Sequence, residues 1–361
     1  MYYTTPTLNN KYFIRIFFVG TLLLSTILVN ACDKTKTQHI YSVFAFGTLI
    51  DITLYDVNQQ QADVAFDTLQ QLFDKNHMDW SPWTDGDLSQ LNKQLSVQTE
   101  IVIPEHLIPI IKTSIKLSQL SKNNYNPAIG KLINLWQFHK YQDKDTRPPH
   151  HDDIQKLVNE NPQMSNLSFN TKNQLVNTNP AVALNFGAFA KGYAITLGMN
   201  HLKDLGIRNA IINAGGDLSV MGKHGNRAWN IGIRHPRKNE TMASIEVSDN
   251  ESVFTSGDYE RSYIYQNKRY HHILNPETGY PTDDAQSVTV IHPDAGYADA
   301  AATALFVAGN KHWQDIAKSM GLRHVMLIDA AGDIHLTPAM KNRINFINKS
   351  PSSRIIVSQE L

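Results

Sequence analysis

Residues 181–218 read AVALNFGAFAKGYAITLGMNHLKDLGIRNAIINAGGDL. A short apolar run at 181–184 is predicted as a strand. Gly187 lets the chain turn, and apolar positions over 190–205 recur at helical spacing. Residues 209–214 return to a strand pattern, and Gly215-Gly216 marks the next turn. Downstream, short β-branched and aromatic runs at 228–234, 242–247, 252–255, 260–265, 269–274 and 286–292 are separated by turn residues. An alanine-rich helix is predicted from about Ala298, then a helix at 311–320 and strands at 323–328 and 333–336. Upstream, 40–56 reads as strand, turn, strand around Gly47, and two helical stripes follow, at 60–76 and over Leu107–Leu120. Residues 139–180 are polar and proline-punctuated and are predicted as an insertion or connection; 341–361 is predicted as a loose tail. Helices interspersed with antiparallel-looking runs indicate an α+β fold with mixed, largely antiparallel sheets and packed helices.

The bulk properties narrow the function. The chain has 361 residues, 33 Lys+Arg, 33 Asp+Glu and 15 His, so its formal net charge is zero. A nucleic-acid binder would carry a basic surplus or face, so no nucleic-acid partner is expected. Apolar residues at 42% and charged residues at 18% are the balance of a globular chain. Cys32 is the single cysteine, which excludes an intrachain disulfide and a thiolate metal cluster.

The N-terminus reads as an address. Lys11 and Arg15 precede an apolar run over 16–29, and Ala31 precedes Cys32. That layout is a secretory signal, and it resembles a bacterial lipoprotein signal cleaved before Cys32. A plain cleaved signal or an uncleaved anchor is the alternative. Residues 1–31 are then the signal peptide, Cys32 the lipidation site, 32–39 a polar tether and 40–340 the folded domain. Acyl chains on Cys32 would hold the protein at a membrane, and Asp33 resembles an inner-membrane retention signal, with the domain facing the periplasm.

Four segments carry chemistry. In 183–193 a helix starts near Phe189; helix-start amides favour an anion, and Lys191 in the first turn suits a bound phosphate, although a solvated lysine fits equally. Asp217, after the paired glycines, is a candidate for a cation or ribose, or else for an Asx turn. The third segment joins Thr255–Arg261 to Arg269–Gly279, with adjacent His271 and His272. On a strand these two face opposite ways, so only one enters a given site, as a catalytic or phosphate-contacting histidine. In the fourth, Asp299 and Thr303 are four apart and share a helix face, two hard oxygen donors that suit Mg²⁺; capping by Asp299 is the alternative.

The order of AFAKGYA, INAGGDL, TSGDYER, HHILNPETGYP and ADAAATAL resembles the ApbE-like flavin transferases, the FAD:protein FMN transferases. The resemblance extends upstream through Phe46-Gly-Thr48, WSPWTDGDLSQLN (80–92) and YNPAIGKLINLWQF (125–138), and runs from about residue 40 to 310. It implies a T-fold-related architecture. It also implies transfer of FMN from FAD to a threonine hydroxyl of an exported acceptor protein, with Mg²⁺ at the pyrophosphate and AMP leaving. By resemblance, Phe46, Trp83, Asn126, Pro127, Ala128, Asn185, Lys191 and Ile273 hold FAD. The carbonyl of Ala188, with Asp299 and Thr303, holds the metal. His272 assists proton transfer, and Asn275 shares the catalytic segment. The acceptor would be an exported subunit of a redox-driven ion pump or a reductase. The family usually has aspartate where this chain has Asn185, Thr196 and Asn275, and each change removes a negative charge. An Mg²⁺-dependent FAD pyrophosphatase and a non-catalytic FAD-binding lipoprotein are the competing readings.

Overall fold

A computed structural model describes residues 37–140, 146–247, 249–347 and 353–361. Cys32 and the export signal lie outside the described residues. The hairpin expected around Gly47 comes first: Gln38–Ala45 and Thr48–Tyr55 pair antiparallel, with Ala45 opposite Thr48. Phe46 and Gly47 form the two-residue turn at φ 52° and 76°. Left-handed values at both positions match the right-handed twist of the flanking strands.

From this hairpin a nine-stranded sheet continues through Asn209–Ala214, Asp217–Met221, Ser252–Gly257, Ala285–His292, His324–Asp329, Ile334–Leu336 and Ile355–Val357. Every pairing is antiparallel except the last. The fold class expected from the sequence is the one observed.

Helices cover one face. Gln59–Asp79 starts at a capping box between Asn58 and Gln61 and buries Ala62, Ala65, Leu69 and Phe73, an i, i+3, i+4 stripe. These pack with Ile50, Ile52 and Leu54 of the sheet and with Ala194, Ile195 and Leu202 of helix Ala190–Asp204 in the main core. Helix Ala295–Ser319 completes the layer; its buried alanines at 298, 300, 301, 302 and 304 allow close approach. The two helices expected in this region are both there, divided at Gly309, whose backbone is non-helical (φ 66°, ψ −177°).

The opposite face is covered only in part. A three-stranded sheet of Trp229–Arg234, Thr241–Val247 and Ile344–Phe346 packs Trp229, Ile233, Ile245 and Val247 against Leu218, Val220, Val253 and Met326. The outer face of the first hairpin stays bare, with Ile40 63%, Phe44 68% and Leu49 52% exposed.

Three expectations change. Residues 181–184 form no strand; Ala183 makes a single bridge to Ile129. The 139–180 stretch carries helix His151–Asn159 and strands Leu167–Phe169 and Leu175–Asn177, which pair with each other, the second also with Glu100–Ile101. The described part of 341–361 is bound to the domain: Ile344–Phe346 joins the small sheet, Ile355–Val357 extends the large one, and Arg354 pairs with Asp333. Apolar alternation in these three-residue strands is too short to register in the sequence.

Candidate active site

Helix Ala295–Ser319 is capped by Asp294, whose side chain accepts from the Tyr297 amide at 3.0 Å. Asp299 therefore sits beyond the first turn and is not a cap. Its Oδ2 accepts from the Gly192 amide at 2.9 Å. Helix Ala190–Asp204 begins after Phe189, so the Ala188 carbonyl lies outside its hydrogen-bond ladder. The two helices meet here because residue 192 is glycine. A Cβ there would lie 2.3 Å from the Ala295 carbonyl oxygen and 2.7 Å from Asp299 Cβ.

Lys191, one residue earlier, turns its ammonium to two carboxylates. It ion-pairs directly with Asp217 and lies 3.8 Å from Asp299 Oδ1. Its Nζ also stands 4.9 Å from the Phe254 ring centroid, within cation–π range. Asp217 Oδ1 accepts from the Thr255 amide at 2.7 Å, which ties the Gly-Gly turn to the neighbouring strand. On that strand Ser256 Oγ is 3.0 Å from Thr303 Oγ1. Lys191 and Asp299, read from different segments of the sequence, thus come together, with Thr303 one helical turn beyond Asp299 and Ala188 two residues before the Lys191 helix. Asp217 joins them, and Thr255 and Ser256, from the Thr255–Arg261 segment, bring that segment to the same place.

The electrostatics follow from burial. Loss of solvent pushes the Asp299 carboxyl up to about 6; Lys191 pulls against this, and Asp217 adds to it. Burial alone would discharge Lys191, but Asp217 and Asp299 outweigh it and hold the ammonium above its ordinary value. A buried carboxylate and a half-buried one sharing one ammonium leave a net negative charge that a further cation would balance. A carboxylate, a hydroxyl one helical turn on and a carbonyl outside any ladder are a hard-oxygen donor set that fits Mg²⁺.

The adjacent histidines have different surroundings, but strand alternation is not the reason, because strand Lys268–His271 ends before His272. His271 is buried, with Nε2 2.6 Å from the Thr282 carbonyl and Nδ1 accepting from the Ile273 amide at 3.3 Å. His272 donates its backbone amide to the Arg261 carbonyl at 3.0 Å, and its Nδ1 is sealed from solvent with no partner among the described residues. Burial first, then the Arg261 guanidinium, push His272 down to about 3, so it is neutral. Ile273 is buried, with its amide given to His271 and its carbonyl accepting from Thr282.

An aromatic group lies beside Arg261. A Cβ on Gly47 would be 2.9 Å from Arg261 Nη2, so the Phe46-Gly47 turn touches that guanidinium. The Phe46 amide donates to His77 Nδ1 at 3.2 Å, and its ring lies 6.1 Å from Trp80, which lies 5.5 Å from Tyr193. Trp83 is 44% exposed and stacks on His139 at 4.4 Å. The 80–86 loop that carries it is pinned at both ends: His106 Nε2 is 3.4 Å from Asp79 and 3.0 Å from Asp87. Neither His139 nor His106 had a sequence signal, because each acts through a partner far along the chain.

The remaining predicted residues lie elsewhere or act through the backbone. Asn126 holds Pro162 through Nδ2 (2.9 Å) and the Ala128 amide through Oδ1 (3.1 Å). Pro127 and Ala128 accept from the amides of Asn185 and Ala183. Asn185 Oδ1 caps the turn at the Gly187 amide, 2.9 Å away, the local bond that leads into the Lys191 helix. Asn275 commits Oδ1 to the amides of Glu277 and Thr278. Asn126 and Asn275 both border a cavity of about 690 Å³ that does not reach the Lys191 cluster.

The α+β fold sets a lysine–carboxylate cluster between two helix starts, against the large sheet. The ApbE family model matches residues 46–327, and the chain belongs to the ApbE family. Among its relatives, an FAD:protein FMN transferase from Rhodobacter capsulatus is 35% identical over 307 residues, 84% of this chain and 58% of that protein. The chain thus spans little more than half of that relative. A second FAD:protein FMN transferase, from Klebsiella pneumoniae, is 28% identical over 74% of this chain and 82% of its own length. The crystal structure of the ApbE protein from Thermotoga maritima superposes with a TM-score of 0.77 at 28% identity, covering 85% of this chain and 99% of that one. The flavin transferase ApbE from Vibrio cholerae shares the fold, with a TM-score of 0.74 at 22% identity over 85% and 99% of the two chains.

Proposed function

We propose that the protein transfers FMN from FAD to a threonine hydroxyl of an exported acceptor protein and releases AMP. The observation that carries this is the Lys191–Asp217–Asp299 cluster, with Thr303 one helical turn beyond Asp299, in a member of the ApbE family. The threonine oxygen attacks the FMN-side phosphorus, the P–O bond of the anhydride breaks, and AMP takes the leaving electron pair. Such a reaction depends on positioning and electrostatics rather than on an enzyme nucleophile. Lys191 supports the diphosphate charge. Asp299, Thr303 and the Ala188 carbonyl would hold Mg²⁺, which when bound supplies charge neutralisation at the diphosphate. His272, kept neutral by burial and Arg261, retains a lone pair to accept the threonine proton. Phe46 and Trp83 offer ring faces to the flavin or adenine. The acceptor is an exported subunit of a redox-driven ion pump or a reductase, and lipid on Cys32 places the reaction at the periplasmic face of the inner membrane.

The test is incubation with FAD, Mg²⁺ and several exported flavin-acceptor domains, read by in-gel flavin fluorescence and by the mass of the acceptor. A covalent FMN adduct on threonine that EDTA prevents is the expected result. FMN and AMP formed without any adduct would replace the reading with a pyrophosphatase. FAD bound with no AMP released would replace it with a binding protein.

A further inference from the structure

The first hairpin presents an edge strand with exposed apolar side chains. Gln38–Ala45 ends the nine-stranded sheet, and among the described residues its only strand neighbour is Thr48–Tyr55. Ala45 and Thr48 close a two-residue turn, so they form a hydrogen-bonded pair, and the pairing alternates outward from them. The backbone groups of Val43 and Tyr41 therefore face the partner strand. Those of Phe44, Ser42 and Ile40 face away from the sheet. The side chains of the same three residues lie on the bare outer face, Phe44 opposite Leu49 and Ile40 opposite Thr53.

Edge strands of soluble proteins are usually shortened or guarded by Lys, Pro or a bulge. Residues 38–55 contain no Lys, Arg or Pro, and the eight-residue register is unbroken. The opposite edge of the sheet, Ile355–Val357, is only three residues long. An open edge of this length beside exposed apolar side chains is the template for strand addition.

The position of this edge identifies what adds to it. The strand runs straight into the Phe46-Gly47 turn, which touches Arg261; the carbonyl of Arg261 holds the His272 amide. A chain laid along the edge is led from the outer face to the phosphate cluster. We infer that Ile40, Ser42 and Phe44 form a docking edge on which an extended segment of the flavin-acceptor protein adds as a tenth strand, delivering its threonine past the Phe46-Gly47 turn. The inference rests on the FMN-transfer reading. A membrane fits this surface poorly, because free backbone groups would go unsatisfied in lipid. Asp51 on the same face and Asp63 beside Tyr41 would also meet anionic headgroups unfavourably.

Two variants test it in the full chain. Ser42→Pro removes an outward N–H at a position where an edge strand tolerates proline. Phe44→Asp replaces a side chain that is 68% exposed, so the core is untouched. FMN transfer is measured against the concentration of an exported reductase subunit that the wild type labels, with FAD affinity measured in parallel. Each variant is expected to raise the KM for the acceptor by about tenfold, the scale of one or two lost backbone hydrogen bonds with their apolar contacts. FAD affinity and kcat at saturating acceptor are expected to stay within about twofold of the wild type. An unchanged acceptor KM in both variants overturns the docking edge while leaving FMN transfer standing. A wild type that labels no acceptor overturns the function and the docking partner together. A dimer dissolved by Ser42→Pro, or binding to vesicles of anionic phospholipid abolished by Phe44→Asp, would assign the edge to a second copy or to lipid and overturn it as well.

Discussion

Gly192→Ala probes the contact that assembles the site. The added methyl would lie 2.3 Å from the Ala295 carbonyl oxygen, whereas ordinary contact begins at 3.4 Å, so the helices must part by about 1 Å. Both obstructing atoms belong to the core of helix Ala295–Ser319, and neither is the end of a flexible side chain. The 2.9 Å bond from the Gly192 amide to Asp299 would stretch beyond hydrogen-bond range. Overpacking costs about 1–3 kcal/mol, and a lost bond to a charged group costs about 1.5–3 kcal/mol. The better helix propensity of alanine returns about 1 kcal/mol. The net expectation is a loss of about 2–4 kcal/mol in urea unfolding. Turnover should fall further than stability implies, because a misplacement of about 1 Å at reacting groups costs about 10²-fold. Gly206→Ala is the control. It lies past the end of the helix at φ 76° with nothing within 4 Å of its Cβ, so it should cost about 1 kcal/mol and leave turnover intact. Equal stability and turnover in Gly192→Ala and the wild type would refute the claim that this close approach sets the position of Asp299.

Other substitutions separate charge from shape. Asp299→Asn keeps an acceptor for the Gly192 amide, so folding should hold while Mg²⁺-dependent turnover disappears; activity that still responds to Mg²⁺ would remove Asp299 from the metal site. Lys191→Met leaves Asp217 and Asp299 facing each other without a cation and should cost about 3 kcal/mol at alkaline pH. That cost should shrink as the pH falls, starting above pH about 6, because without Lys191 the raised Asp299 carboxyl is pushed higher still and takes up a proton sooner, which urea melts at two pH values would read. His272 has a depressed folded pKa of about 3, so between that value and its unfolded value the unfolded chain binds the extra proton. Its contribution is full above pH about 6.5 and is lost as the pH falls. Wild-type stability should therefore drop relative to His272→Asn by about 2 kcal/mol between pH 7 and 5. A pH-independent difference would mean His272 is not held neutral by its surroundings.

The sequence was most readable where one local rule decides the structure. The Asn209–Ala214 strand emerges with the expected bounds because a strand pattern ends at a double glycine that can take positive φ. Helix Ala190–Asp204 differs from its expected span by one residue. The readings that failed depend on distant partners. Residues 181–184 look like a strand, yet no strand lies beside them to complete a ladder beyond the Ile129 bridge. Ile355–Val357 becomes a strand because the free edge of Ile334–Leu336 accepts it and Asp333 pairs with Arg354, two facts invisible within residues 353–361.

The same division explains the site. Asp299 and Thr303 share a helix face by spacing alone, so their proximity was legible. The role of Asp217 was not, since an Asx turn and a cation ligand have the same local sequence. Its environment resolves this: one oxygen fixes the Thr255 amide of a neighbouring strand, and the other is spent on Lys191, 26 residues away in sequence. Asp217 thus orients the lysine while its own carboxylate is immobilised by backbone. Lys191 can then lean toward Asp299 without collapsing onto it, which the 3.8 Å separation records. A lysine paired only with Asp299 would occupy the place a metal needs. With the ammonium drawn to Asp217, the Asp299 carboxylate stays available one helical turn from Thr303, so under the proposed function one side chain that only positions another decides whether the cluster can take a cation at all.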